Sequence, residues 1–133
     1  MALTTGTIDT STVAGTASAS LGAVSVTDNR GALLGNWTTR VSSTNFVTGT
    51  STALETVAAS NISYLAGVAT GTGTGTFAGP LLATLAPTAP RGIAATYVGV
   101  GNNSATWNPT LTFILAAQQV SGTYTGTVTH SVA

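Results

Sequence analysis

The sequence predicts an all-β protein: one antiparallel β-sandwich of the Greek-key, immunoglobulin-like kind over residues 1–133, with short loops and little helix. Three observations predict it. The polar mass of the chain is threonine, 28 residues, and a β-branched side chain suits a pleated surface. Apolar and polar residues alternate with period two in several short runs. Gly, Asn, Ser and Pro punctuate those runs at roughly the 8–12-residue spacing of a sandwich or barrel, whose sheets pack about 10 Å apart.

The runs are read in chain order. Thr4–Thr10 is a first strand, and Leu21–Thr27, "LGAVSVT", is a clearer second. "TDNRG" ends that strand: Asp28 and Asn29 bond nearby backbone amides, and Gly31 supplies a positive φ. Asn36–Ser42 places Trp37, Thr39 and Val41 on one face, Thr38 and Arg40 on the other. "STALETVAAS" and "LAAQQV" at Leu115–Val120 can each form a turn of helix, but neither is long enough to stand alone. "TGTGTGT" at Thr70–Thr76 is a flexible loop or weak edge strand. Its sharper reading is a flat, glycine-relieved surface against which another chain lies. "GPLLATLAPTAPRG", with three prolines, is an edge or an extended loop. Thr110–Leu115, apolar on both faces at its centre, is a central strand. Thr123–Val132 closes the chain. Tyr124, Gly126, Val128, His130 and Val132 face one way, and Thr123, Thr125, Thr127, Thr129 and Ser131 the other.

Composition excludes several functions. Charged residues make up 5% of the chain, with no lysine and a net charge of zero, against about 25% in a typical domain. Such a surface has no electrostatic footprint for nucleic acid or an anionic membrane. It also offers little repulsion between copies of itself. With no cysteine and no lysine there is no disulfide, thiolate, Schiff base or Lys–Asn isopeptide bond. No apolar run approaches the ~20 residues of a membrane span. Met1-Ala2-Leu3 runs straight into Thr/Gly sequence, without the basic and apolar regions of a signal peptide. The lysine poverty and threonine richness favour a mature exported domain carrying an added start methionine over a cytosolic protein.

No catalytic constellation is visible, and no cofactor or metal is expected. The acids are Asp9, Asp28 and Glu55, in three separate segments, so nothing places two carboxylates for glycoside hydrolysis or several for calcium. His130 is the only histidine. It lacks an oriented acid and a G-x-S-x-G elbow, and without cysteine it makes a poor zinc site. Four residues are the candidates for binding. Arg30 can grip a carboxylate or pair with Asp28 across its turn. Trp37 and Trp107 are core aromatics or sugar-stacking platforms. Asn108 suits sugar hydroxyls or the Asn-Pro turn in which it stands. The N-x-S/T triplets at Asn36, Asn61 and Asn102 are expected by chance in a chain so rich in hydroxyls.

Four segments, "VTDNRG", "NWTTRVSSTNF", "NNSATWNPTLTF" and "VSGTYTGTVTHSVA", occur in that order from about Leu21 onward. In this the chain resembles the WxL-like domains of secreted, cell-surface proteins of Gram-positive bacteria. The resemblance implies an exported β-sandwich held non-covalently at the cell surface, with peptidoglycan as partner. Trp37 and Trp107 match as motif positions. The tripeptide here is Trp-Thr-Thr in place of Trp-x-Leu. Trp107-Asn108-Pro109 stands before a strand, and His130 holds the final-strand position of a tryptophan.

Together these features point to a secreted, non-catalytic structural protein. It would self-associate into oligomers or fibres when an edge strand of one copy accepts a terminal segment, such as Ala2–Thr10 or Val120–Ala133, of another. The alternative is a cell-wall polysaccharide-binding module using Trp37 or Trp107.

Overall fold

A computed structural model describes residues 2–10, 15–79, 83–84 and 92–133, with side chains for 15–79 and 95–133. Two antiparallel sheets pack face to face over one buried cluster, as the sequence predicts. The larger sheet contains β1 (Ala2–Thr10), β3 (Val24–Asp28), β4 (Trp37–Ser43), β5 (Phe46–Val47), β6 (Thr56–Val57), β8 (Ala69–Ala78), β10 (Gly92–Trp107) and β12 (Gly122–Val132). The smaller contains β2 (Gly15–Ser20), β7 (Ile62–Leu65), β9 (Ala83–Thr84) and β11 (Thr110–Leu115).

Across the larger sheet the order is β8, β10, β4, β12, β1. β3 also pairs with β10, at its far end. β11 is central in the smaller sheet, flanked by β2 and β7. Leu111, Phe113 and Leu115 point from it into the core. On β4 and β12 the inward faces are those read from the alternation: Trp37, Thr39 and Val41 on one, Tyr124, Val128 and His130 on the other, all buried. Val132 shares that parity but stands half exposed at the strand's end.

β10 turns a corner. Tyr97 and Trp107 both stack on Trp37, with ring centroids 5.6 and 6.2 Å away. Ten residues of straight strand would separate them by about 33 Å. Glycine allows the bend: Gly101 has φ 73, a left-handed conformation that other residues avoid. The register against β8 slips between Val100 and Ser104, as at a bulge. Asn103 latches the corner, its Nδ2 donating to the carbonyls of Gly35 and Gly101 while its Oδ1 accepts Trp37 Nε1–H at 2.8 Å.

Other elements depart from the sequence reading for local reasons. The strand expected from Leu21 begins at Val24, because Gly22 is at φ 82 and Leu21 N–H bonds Pro109 O instead of a strand neighbour. The helical signal in "STALETVAAS" yields two 3₁₀ turns, Ala53–Glu55 and Ala59–Asn61. "LAAQQV" yields only a turn. Of the proline-rich stretch, Ala83–Thr84 pairs with the edge of β7, and residues 80–82 and 85–91 lie outside the described part. Among the described residues no helix is long and apolar enough to cross a membrane.

Gly126, buried on the inward face of β12, gives way to the Phe46 ring: a Cβ there would lie 2.5 Å from Cδ2. Gly126→Ala is expected to lower unfolding stability by about 1–3 kcal/mol, the usual cost of overpacking, measured as the urea midpoint.

Candidate functional site

The Asp28–Arg30 turn forms as its sequence suggests. Arg30 Nε and Nη2 donate to the two Asp28 carboxylate oxygens at 2.8 and 2.7 Å, and Arg30 N–H adds a third bond. Arg30 Nη2 also reaches Asn36 O, so the turn is fastened to the start of β4. The hydrogen bonds from Arg30 bring the Asp28 carboxyl down to about 2. The same pairing raises Arg30.

Beside this turn lies a cleft of about 420 Å³, lined by Val26, Asp28, Arg30, Trp37, Val132 and Ala133 among others. A smaller recess of about 150 Å³ shares Val26, Thr27 and Val132 and extends to Thr39 and His130. Two of the four candidate binding residues, Arg30 and Trp37, therefore line one depression. The Arg30 side chain is 60% exposed there. Trp37 is almost wholly buried, stacked between Tyr97 and Trp107 and tilted against Phe77. Trp107 lies behind it in the core. Asn108 is elsewhere, in the β10–β11 turn, where its Oδ1 accepts Ser20 Oγ–H at 2.8 Å.

The chain matches no family model, no curated protein and no solved structure. The likeness to WxL-like domains rests on its motifs alone. In this fold both motif tryptophans contribute their rings to the core.

Behind the cleft sits a polar chain that the motifs did not disclose. Trp107 Nε1–H donates to the Tyr64 hydroxyl at 2.9 Å. The hydroxyl, already accepting, turns its own proton to His130 Nε2 at 3.0 Å. In that direction the neutral imidazole carries its proton on Nδ1; with the opposite tautomer Nε2–H donates to the same oxygen. All three residues are buried, and Nδ1 has no partner among the described residues. Burial pushes His130 down to about 4 and Tyr64 up to about 12. Neither is a base or acid poised near neutrality, which general acid–base catalysis favours.

The Glu55 carboxylate, like that of Asp28, is occupied. Glu55 Oε2 accepts from the backbone and hydroxyl of Thr52 and of Thr50, at 2.8–3.2 Å, and these bonds lower its carboxyl. Asp9 lies on β1, opposite Thr123 in register. No group of three His, Cys, Asp or Glu able to hold a metal occurs among the described residues. The arrangement can bind an acceptor group at the exposed side of Arg30. Tyr64 and Asn103 carry the polar interior. Tyr64 does not stand out in the sequence, and Asn103 is one of several asparagines.

Tyr64→Phe leaves two buried nitrogens unpaired and is expected to cost about 2–4 kcal/mol in chemical denaturation. His130 makes the fold acid-sensitive. Its unfolded imidazole gains a proton below about 6.5 while the folded one waits until about 4. The stability it confers is therefore complete above pH 6.5 and declines as pH falls between those values, by about 3 kcal/mol in all. Urea midpoints at pH 7, 5 and 4 should show this slope, and His130→Phe should flatten it.

Proposed function

We propose that this chain is a non-catalytic structural protein of the cell surface or extracellular matrix, which associates with itself by strand addition. One observation carries the reading: the edge strand β8. It runs for ten residues, "ATGTGTGTFA", and pairs with β10 alone among the described strands. It contains no charge and no proline, the devices by which monomeric proteins guard an open edge. Thr70, Thr72, Thr74 and Thr76 form its outer face, while Gly71, Gly73 and Gly75 leave its inner face bare. The low-complexity stretch is thus a strand, interrupted at Gly73 (φ 103) where its register against β10 slips, with one edge unpaired among the described strands. The extracellular setting is supported by the lysine-free, nearly ion-free composition and by the WxL-like motifs.

Of the two terminal segments considered as donors, Val120–Ala133 contains β12, which carries buried Tyr124, Val128 and His130 and is committed to its own core. Ala2–Thr10 forms β1, whose one strand partner among the described residues is β12.

The second reading is a wall-polysaccharide module, favoured by the cleft that joins Arg30 to Trp37. Arg30→Ala would abolish co-sedimentation with purified cell walls on that reading and leave it unchanged on the first.

Purified protein is expected to form oligomers or filaments in sedimentation and electron microscopy. The association should persist from about 0.1 M to about 1 M salt, since few ions exist to be screened. A lysine on the open edge, Thr74→Lys, should abolish assembly with little change in melting temperature. A protein that stays monomeric at high concentration refutes the reading.

A further inference from the structure

We propose that copies join head to tail, the open edge of β1 on one copy pairing with the open edge of β8 on the next. The inference rests on the self-association reading and assigns its two surfaces. Along the run β8, β10, β4, β12, β1 of the larger sheet, β8 and β1 are the end strands, and neither has a second strand partner among the described residues; the sheet's other single-partner strands, β3 and β6, are shorter, at five and two residues. Their lengths match, at ten and nine residues. Neither contains proline, lysine or arginine, and the one charge between them is Asp9.

Strand direction decides how such edges meet. Each neighbouring pair from β8 through β10, β4 and β12 to β1 is antiparallel. Four reversals leave β1 and β8 running the same way. A second copy added with the same face outward therefore meets the first through a parallel pair, and the threonine-rich outer face continues without inversion. The contact is heterologous: each copy keeps one edge open, so the array grows. A two-fold β8–β8 pairing would instead be antiparallel, would close as a dimer, and would leave both β1 edges unused.

The β8 side shows a second sign of incompleteness. A slot of about 590 Å³ lies along it, lined by Gly71, Gly73, Gly75, Phe77, Tyr97 and Ala105 among others. Tyr97 is 5% exposed, and its hydroxyl has no hydrogen-bond partner among the described residues. That hydroxyl lies over Gly75, where a Cβ would come within 2.5 Å of it. A strand seated on β8 extends its inward side chains over this slot and closes it from water.

Because the chain has no cysteine, introduced thiols report contacts cleanly. Three strands separate β1 from β8, about 19 Å at ordinary strand spacing, so a short bis-maleimide placed at one cannot reach the other within a copy. Thr5→Cys/Thr74→Cys is expected to give a covalent ladder on denaturing gels. An equimolar mixture of the two single variants should give dimers, and neither single variant alone should. A thermal melt matching the parent verifies folding, and Thr7→Cys with Thr76→Cys serves as a second pair. Dimers from Thr74→Cys alone would overturn the inference in favour of the two-fold arrangement. Assembled material that yields no ladder with either pair would also overturn it, while leaving self-association intact. Absence of any assembly would remove both.

Discussion

A single phenol oxygen ties the two layers of this sandwich together through their interior. Tyr64 rises from the smaller sheet, and its hydroxyl is held between Trp107 on β10 and His130 on β12. Each partner brings a strand with it. Trp107 fixes the far arm of the bent β10 and stacks on Trp37, and His130 fixes β12 beside β4. A buried hydrogen bond adds only about 1 kcal/mol net, but leaving its groups unpaired costs more. The chain thus penalises alternative packings more than it strengthens this one. Around it, the rings of Trp37, Phe77, Tyr97 and Trp107 form a continuous aromatic seam. Asn103 closes the far end of the seam by accepting the Trp37 indole proton.

The parts of the fold legible in the sequence were those where alternation is undisturbed. The final strand could be read residue by residue, because its inward side chains are large except at Gly126 and its outward ones are hydroxylic; Thr110–Leu115 was legible as a central strand from its apolar middle. β2 was missed because "GTASAS" has only small residues and so no hydrophobic contrast to betray a period. β10 was missed because its corner interrupts the pattern with Gly99, Gly101 and two asparagines. A strand that bends loses the very signal by which strands are recognised. The candidate site was legible in pieces. "TDNRG" announced its turn and its ion pair, but nothing local said that this turn would stand beside Trp37 and the end of β12. The Tyr64–His130 contact joins residues 66 apart in the chain, and no local reading reaches that far.

The outer surface replaces ionic contacts with hydroxyl pairs. Ser25 faces Thr106 at 2.7 Å, Thr72 faces Ser104 at 2.8 Å, and Ser18 faces Thr112 at 3.4 Å, each across neighbouring strands in register. Such pairs contribute modestly, a few tenths of a kcal/mol to about 1. Unlike ion pairs they depend on neither pH nor salt. Among the described side chains, acid sensitivity therefore belongs to the few places where an ionisable group is held: His130 inside, Asp28 and Glu55 at their turns.

The scarcity of cationic side chains changes how the molecule meets other enzymes. A trypsin-type protease has only arginine to cut after, at three positions. Arg40 lies mid-strand in β4 with β10 and β12 bonded on either side, and Arg30 is clasped by its carboxylate partner. A scissile bond must first be pulled out of its surroundings and extended into the protease, and at both of these positions the fold opposes that. With no side-chain amine, the chain also has nothing for a transglutaminase or an aldehyde to attack at a lysine. At these two arginines, and toward reagents that need a lysine amine, resistance would come from folded geometry with no covalent seal.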